Sequence, residues 1–294
     1  MPSLHVVVIV LNWNGWSDTA ACVRSVLQST YADFDVMVVD NGSTDDSVIR
    51  LRREFPDLTI LETGENLGFA GGNNAGMRHA LDHQTADFIW LLNNDTQPRA
   101  DAMEALVQAA NAAPRVGALG ALIMEAENPE IVQLRGGHRF SLRLGMPLPA
   151  PHGRPPDYLC GASMFLRRDC LEQCGLLDPG YFFYFEDTEF CFRIRRHNWT
   201  LAVEERAVVL HRGSASVGAG SFTQAYWYRR GLIRFLRTHA PFPWLPILGT
   251  TAARLLLAVL ARNGPVLRGT WNGFWDGLAE PRPTKPWPAD WTAS

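Results

Sequence analysis

The run Val6-Val7-Val8-Ile9-Val10-Leu11 contains no polar position, and five of its six residues are β-branched. A strand with one wet face alternates polar and apolar residues. A strand without alternation is covered on both faces, as in a parallel sheet between helical layers. The same kind of segment recurs at 34–39, 58–61, 88–92 and 116–123. Between these runs, 17–29, 44–55 and 69–81 carry helical spacing, with Ser17 as a candidate cap. A further helix is expected from Pro98, a favourable first-turn residue. This alternation predicts an α/β fold with a mostly parallel central sheet flanked by helices.

The rhythm breaks after residue 125. Residues 127–157 read as a hairpin plus a long mobile loop of the kind that covers a site. Residues 158–166 are strand-like, 181–185 are all aromatic, 187–197 have helical spacing, and 207–210 form a short strand ending in His211. A basic, aromatic helix is expected over 222–239, followed by a Pro/Trp-rich tail. The organisation that results is a main α/β domain over 1–221 and a helical extension over 222–294.

At 294 residues and 47% hydrophobic content the chain can bury a sizeable core. A net charge of −3 gives no basic field for nucleic acid. Five irregularly spaced cysteines favour a reducing, cytoplasmic compartment, and Cys170 and Cys174 lack the second ligand pair of a zinc site. The N-terminal apolar run lacks a basic flank and a cleavage site, and so reads as a strand and not a signal peptide. Residues 242–260 are interrupted by Pro243, Pro246 and Arg254, which favours an interfacial helix over a membrane span.

Three runs end in amide- or acid-rich turns: Asn12-Trp13-Asn14, Asp40-Asn41-Gly42-Ser43 and Asn93-Asn94-Asp95. Such residues are common in turns for purely local reasons. Three of them at the C-terminal edge of one sheet are placed to share a ligand crevice. A carboxylate there, Asp95, suits a hard cation bridging phosphates. Asn66-Leu67-Gly68-Phe69-Ala70-Gly71-Gly72-Asn73-Asn74 opens a helix whose N–H groups could face phosphate. It matches neither the nicotinamide dinucleotide fingerprint nor a Walker loop. Glu186-Asp187 follows the aromatic run. One of the pair is expected to serve the helix N-terminus, and the other to act as a general base with its proton affinity raised by apolar rings. Glu189 is expected to be solvated or paired with Arg193. His211 becomes a second cation ligand if its strand end meets Asp95.

In this order, these segments resemble the family 2 glycosyltransferases with the GT-A fold, and most of all the rhamnosyltransferase-like members. The resemblance runs over about residues 5–240. It implies inverting transfer of a sugar from a nucleotide-diphosphate donor. The rhamnosyl likeness points to dTDP-rhamnose, with UDP-galactose, UDP-glucose or UDP-GlcNAc as other donors. By the same resemblance Asp40 binds the base, helped by Leu11, Asn12, Asn14 and Gly42. Asn66, Gly68, Gly71, Asn74, Asn93 and Asn94 line the nucleotide–sugar cleft. Asp95 and His211 hold Mg²⁺ or Mn²⁺, with Asn93 standing where the fuller Asp-x-Asp motif has its first acid. Asp187 is the base, and Glu186 orients the site or touches the acceptor. The implied acceptor is a saccharide, free or linked to polyprenyl diphosphate, in cell-surface polysaccharide assembly. Arginines and aromatics beyond residue 222 fit a subdomain packed on the sheet or a face at the inner surface of the cell membrane. Two other classes compete: a sugar-nucleotide pyrophosphorylase, disfavoured by the Asn-Trp-Asn-Gly turn, and an inert carbohydrate-binding protein, disfavoured by the set Asp95, Asp187 and His211.

Overall fold

A computed structural model describes residues 4–83, 85–150, 154–213, 218 and 220–281. Strand and helix alternate through β1 (Val6–Asn12), α1 (Trp16–Val26), β2 (Phe34–Asp40), α2 (Ser47–Glu54), β3 (Thr59–Glu62), α3 (Gly68–His83) and β4 (Phe88–Asn93). Next come β5 (Thr96–Pro98), α4 (Ala102–Ala112), β6 (Val116–Glu125), β7 (Val132–Arg135), β8 (Gly137–Ser141), β9 (Met146–Leu148) and β10 (Tyr158–Leu159). The chain continues through β11 (Ser163–Arg167), α5 (Arg168–Cys174), α6 (Glu186–Arg196), β12 (Thr200–His211), α7 (Phe222–His239), α8 (Trp244–Leu260) and α9 (Gly264–Ala279).

The main sheet has the order β3-β2-β1-β4-β11-β6-β12-β5, with β7 also paired to β6. Strands β3, β2, β1, β4, β6 and β12 point one way, and β11, β5 and β7 the other. The sheet is therefore mostly parallel. Because β1 lies between β2 and β4, the connections diverge at its C-terminal end, where open α/β sheets hold ligands. Register brings Asn12 beside Asp40 and Leu11 beside Asn93.

Both faces are covered, as the unbroken apolar runs require. Val8, Val10, Trp90 and Phe165 pack with Val23 and Leu106 on one side. Ile9, Met37, Leu91 and Phe190 pack with Met77 and Leu171 on the other. A third core joins Tyr181 and Phe185 to Leu232, Phe235, Ile247 and Phe274, which fastens α7–α9 to the aromatic segment. An ion pair between Arg234 of α7 and Asp178, at 2.9 Å, reinforces this junction, and within α6 Arg193 pairs with Glu189, also at 2.9 Å. Glu189 is thus buried and paired, not solvated.

Several local expectations give way to longer-range pairing. Pro98 lies in β5 opposite Val209, on the last strand of the sheet, where a missing N–H is tolerated; α4 starts at Ala102. Residues 158–166 split into two strands, because β10 pairs with β8 in a small second sheet while β11 joins β4 and β6. The short strand before His211 extends back to Thr200 through its pairing with β6. Ser17 lies inside α1, whose N-cap is Gly15 without a side-chain bond. The segment after 239 forms α8 and α9, and residues 282–294 of the Pro/Trp-rich tail lie outside the described residues. Residues 127–157 contain the expected hairpin, β8 with β9, and also β7, while residues 151–153 of the expected loop lie outside the described residues, as do Ser214 and Lys285.

Candidate active site

A cavity of about 560 Å³ opens at the C-terminal edge of β1 and β4. Leu11, Asn66, Gly68, Asn93, Asn94, Asp95 and His211 line it, so the first-strand end, the glycine-rich loop and the acidic turn do converge. Trp13, Asn41, Phe69, Phe182, Phe183, Tyr184, Ser221, Thr223 and Trp227 complete its wall.

The floor of the crevice is a polar network. Asp40 is 3% exposed and accepts three hydrogen bonds, from Asn12 Nδ2 at 2.7 Å, Ser43 Oγ at 2.6 Å and Ser43 N at 3.0 Å. Asn12 is fully buried and accepts from Thr19 Oγ1 at 2.7 Å. Asn14, at a positive φ that asparagine tolerates, accepts from the N–H groups of Thr44 and Asp45. These three polar residues hold the first two turns together from behind the cavity lining. Asn41 carries the contact forward, donating to Asn66 Oδ1 and Gly68 O and accepting from Leu67 N.

The glycine-rich loop supplies a wall. Gly68 has φ +72° and sits against Phe182, where a Cβ would lie 2.4 Å from the Phe182 carbonyl oxygen. The N–H groups of Leu67, Gly68 and Phe69 are donated to Asn41, Asn66 and Phe182 O respectively. The phosphate-facing N–H array expected at this helix start is consequently taken up by the protein itself over those three residues. Gly42 and Gly71 allow close contact, with Glu65 and Leu67 respectively. Asn74 is buried, and its amide forms a reciprocal pair with the backbone of Leu177, at 2.8 and 3.0 Å.

The acidic turn meets His211 through tertiary structure. β12 returns beside β5 with His211 opposite Thr96, which places His211 Nε2 3.3 Å from Asp95 Oδ1. His211 Nδ1 lies 2.7 Å from Gln133 Oε1 on β7. With Nδ1–H donated to that oxygen, Nε2 can carry a proton toward the Asp95 carboxylate or, deprotonated, turn its lone pair to a cation held beside that carboxylate. Two donors of this type, imidazole nitrogen and carboxylate oxygen, suit a divalent cation completed by diphosphate oxygens. Burial pushes the Asp95 carboxyl up, but the hydrogen bond and charge of His211, together with the Gly213 N–H, more than offset this and hold it below its ordinary value. Among the described residues no group of three or more His, Cys, Asp or Glu side chains could hold a metal alone. Gln133 carries no motif that would single it out in the sequence.

Glu186 and Asp187 stand just behind the wall. A Cβ on Gly161 would touch Asp187 Oδ2 at 3.3 Å and Phe69 at 3.5 Å. They open α6 directly after Tyr184 and Phe185, which have φ of 69° and 75°. Two successive bulky residues in the left-handed region are costly, and they persist where the surroundings over-determine them. Here Gly231 of α7 approaches so closely that a Cβ would lie 2.8 Å from Tyr184 O. Asp187 Oδ2 accepts from Gly161 N, and Oδ1 accepts from Thr188 N and Oγ1. Burial raises the proton affinity of Asp187 against the pull of these bonds. Glu186 is 6% exposed and its Oε2 has no hydrogen-bond partner among the described residues; burial first, and then the Asp187 charge, push its carboxyl well above the usual range.

Residues 6–175 match the family model described as Glycosyl transferase family 2. A low-salt glycan biosynthesis hexosyltransferase of Haloferax volcanii is 28% identical over 65% of this chain and 62% of its own length. The N-acetylglucosaminyl-diphospho-decaprenol L-rhamnosyltransferase of Mycobacterium tuberculosis is 28% identical over 81% of this chain and 87% of its own length. Among solved structures, GalNAc-T7 with UDP, GalNAc and Mn²⁺ superposes with a TM-score of 0.67 at 15% identity, covering 94% of this chain and 55% of that one. The mannosyltransferase PcManGT from Pyrobaculum calidifontis with GDP-Man and Mn²⁺ gives 0.57 at 20% identity, covering 94% and 75%. At these identities the structural likeness shows the fold, that of the GT-A glycosyltransferases.

Proposed function

The chain belongs to glycosyl transferase family 2, and from that premise we propose that it transfers a hexosyl unit, with inversion, from a nucleotide-diphosphate sugar to a hydroxyl of a lipid-linked saccharide. The observation that carries this reading is the separation of two acid sites around one cavity. Asp95 pairs with His211 on the β4 side, while Asp187 stands behind Phe69 at the start of α6. A single displacement needs that division: charge compensation for the leaving diphosphate at one place and one base for the acceptor at another.

Asp95 Oδ1 and His211 Nε2 would hold Mg²⁺ or Mn²⁺. Such a cation, when bound, neutralises charge developing on the leaving diphosphate. Asp187 removes the proton of the acceptor hydroxyl as its oxygen bonds to the anomeric carbon and the bond from that carbon to the diphosphate breaks. Gly161 N–H and Thr188 fix the carboxylate while burial raises its proton affinity, which brings a weak base toward the working pH. Glu186 keeps its proton and adds no second negative charge beside Asp187 during the attack. Leu11, Trp13, Asn41 and Asn66 are placed to wall the nucleotide, and the stacked pair Phe182–Trp227, with ring centroids 4.6 Å apart, offers an apolar platform for a sugar face.

The rhamnosyltransferase relative supports dTDP-rhamnose as donor and a polyprenyl-diphosphate-linked N-acetylglucosamine as acceptor, with UDP-hexoses as the next donors to try. The test is acceptor-dependent release of nucleoside diphosphate with each donor and Mn²⁺, with the product anomer assigned by NMR. Inverted product from one donor is expected. Retained configuration, or release of pyrophosphate instead, would overturn the reading.

A further inference from the structure

We propose that the exposed apolar face of α8, together with the exposed end of α9, lies in the interfacial layer of an anionic bilayer and holds the cavity at the lipid surface. Only Pro246, Ile247, Thr251 and Ala258 of the 17 residues of α8 are buried. Leu245, Leu248, Leu256 and Leu260 are 76%, 56%, 60% and 70% exposed. At the helical angular step they fall on one stripe, and Val259 lies within it. On α9, Trp271 and Trp275 are one turn apart, half exposed and in ring contact at 5.6 Å. No helix among the described residues is long and apolar enough to cross a membrane, so this surface must lie on the bilayer, in its plane.

Charge chooses the occupant. Residues 240–275 contain no Asp or Glu, whereas Arg262, just after α8, and Arg268, on the Trp271–Trp275 stripe of α9, are exposed there, in a protein of net charge −3; Arg254 lies across α8 from the leucine stripe. A second copy docked isologously would bring Arg262 and Arg268 together, and the carboxylate next to the segment, Asp276, already accepts from Tyr226 Oη at 2.8 Å. Anionic headgroups supply that complement, and tryptophan suits the headgroup level.

The face is rigidly coupled to the cavity. Asn263, in the turn between α8 and α9, donates to Gly220 O at 3.4 Å, next to the cavity-lining Ser221. α9 lies so close to the first turns of α7 that a Cβ on Gly269 would sit 2.4 Å from Phe222 O, and one on Gly273 2.4 Å from Tyr226 O. A lipid-linked acceptor would then reach the site without leaving its bilayer, a use that rests on the proposed transfer, whereas the anchoring does not.

Flotation of the full chain with phosphatidylcholine vesicles, with and without about one-third phosphatidylglycerol, tests this. Binding to the anionic vesicles is expected. It should weaken about tenfold or more in Leu256→Glu/Leu260→Glu, and about fivefold for each arginine changed in Arg262→Gln and Arg268→Gln. Unchanged melting temperatures show that these exposed substitutions leave the fold intact. Turnover on a short, water-soluble saccharide acceptor should stay within about twofold, while turnover on vesicle-embedded acceptor falls with binding. Absence of flotation on both vesicles, or equal flotation by the double variant, overturns the proposal. So does a lipid-free dimer, seen by light scattering, that the double variant dissociates. Absence of turnover with every donor would sink the transfer reading and leave the flotation result standing.

Discussion

Asp40 and Glu186 are both buried carboxylic acids at the edge of the same crevice, yet their surroundings are opposites. Asp40 receives three donors from Asn12 and Ser43. Glu186 has an oxygen with no partner among the described residues and is pressed toward its neutral form by burial and by Asp187. The first arrangement builds a rigid floor. The second, reached through a strained turn at Tyr184 and Phe185, builds a corner that favours the protonated acid. Depth alone therefore says little about the task of a carboxylate; the donors around it decide whether it braces the fold or handles protons.

The contrast can be broken at several points. The largest effect is expected for Asp187→Asn, which keeps the Gly161 contact but cannot accept a proton. Turnover should fall about 10²- to 10⁴-fold while donor binding, followed by thermal shift, is retained. Wild-type turnover in that variant would remove the base assignment. The wild-type rate should also decline toward acid through a pKa above the usual aspartate range, because Asp187 must be ionised to act and burial raises its proton affinity.

Gln133→Leu removes the partner of His211 Nδ1 and should weaken Mn²⁺ binding about 10- to 100-fold, read by calorimetry or by the spin-resonance signal of free Mn²⁺. Undiminished affinity would show that His211 needs no orienting group.

Asp40→Ala strands the Asn12 amide and the Ser43 donors in a buried place. A loss of about 3 kcal/mol in denaturant unfolding is expected, with no requirement for ligand to reveal it. A change below about 0.5 kcal/mol would mean that the floor is not the brace described above.

The smallest effect, and the most diagnostic, concerns Glu186→Gln. A carboxyl whose folded pKa lies above its unfolded value stabilises the fold fully below the unfolded pKa. That contribution is lost as pH rises toward the folded pKa. The variant should therefore gain stability relative to wild type from about pH 5 upward, by at most about 1.4 kcal/mol per pH unit of that window. A gap that closes with rising pH would contradict a neutral Glu186.

Much of this molecule was legible before any coordinates. The unbroken run of β1 required cover on both faces, and Asn12, Asp40 and Asn93 marked the strand ends that form the crevice edge. Those inferences rest on local sterics and on apolar burial, which neighbouring residues determine among themselves. The segment from Asn66 to Asn74 does open a helix, but the N–H groups of Leu67, Gly68 and Phe69 turn to Asn41, Asn66 and Phe182, acceptors that are assigned only when separate loops dock. The helix expected near Pro98 forms, but only from Ala102, because β12 supplies an edge that local propensity does not see.

From residue types and order alone come the α/β alternation, the mostly parallel sheet, the acidic turn after β4 and the acid pair after the aromatic run. Tertiary structure alone decided that His211 lies against Asp95 with Gln133 behind it, that Tyr184 and Phe185 turn through positive φ against α7, and that α8 keeps its leucines in the open. The division follows from range. Periodicity and turn preference are written into a few consecutive residues, whereas a hydrogen-bond partner, a raised proton affinity or an uncovered face depends on what distant segments bring to, or withhold from, the same place.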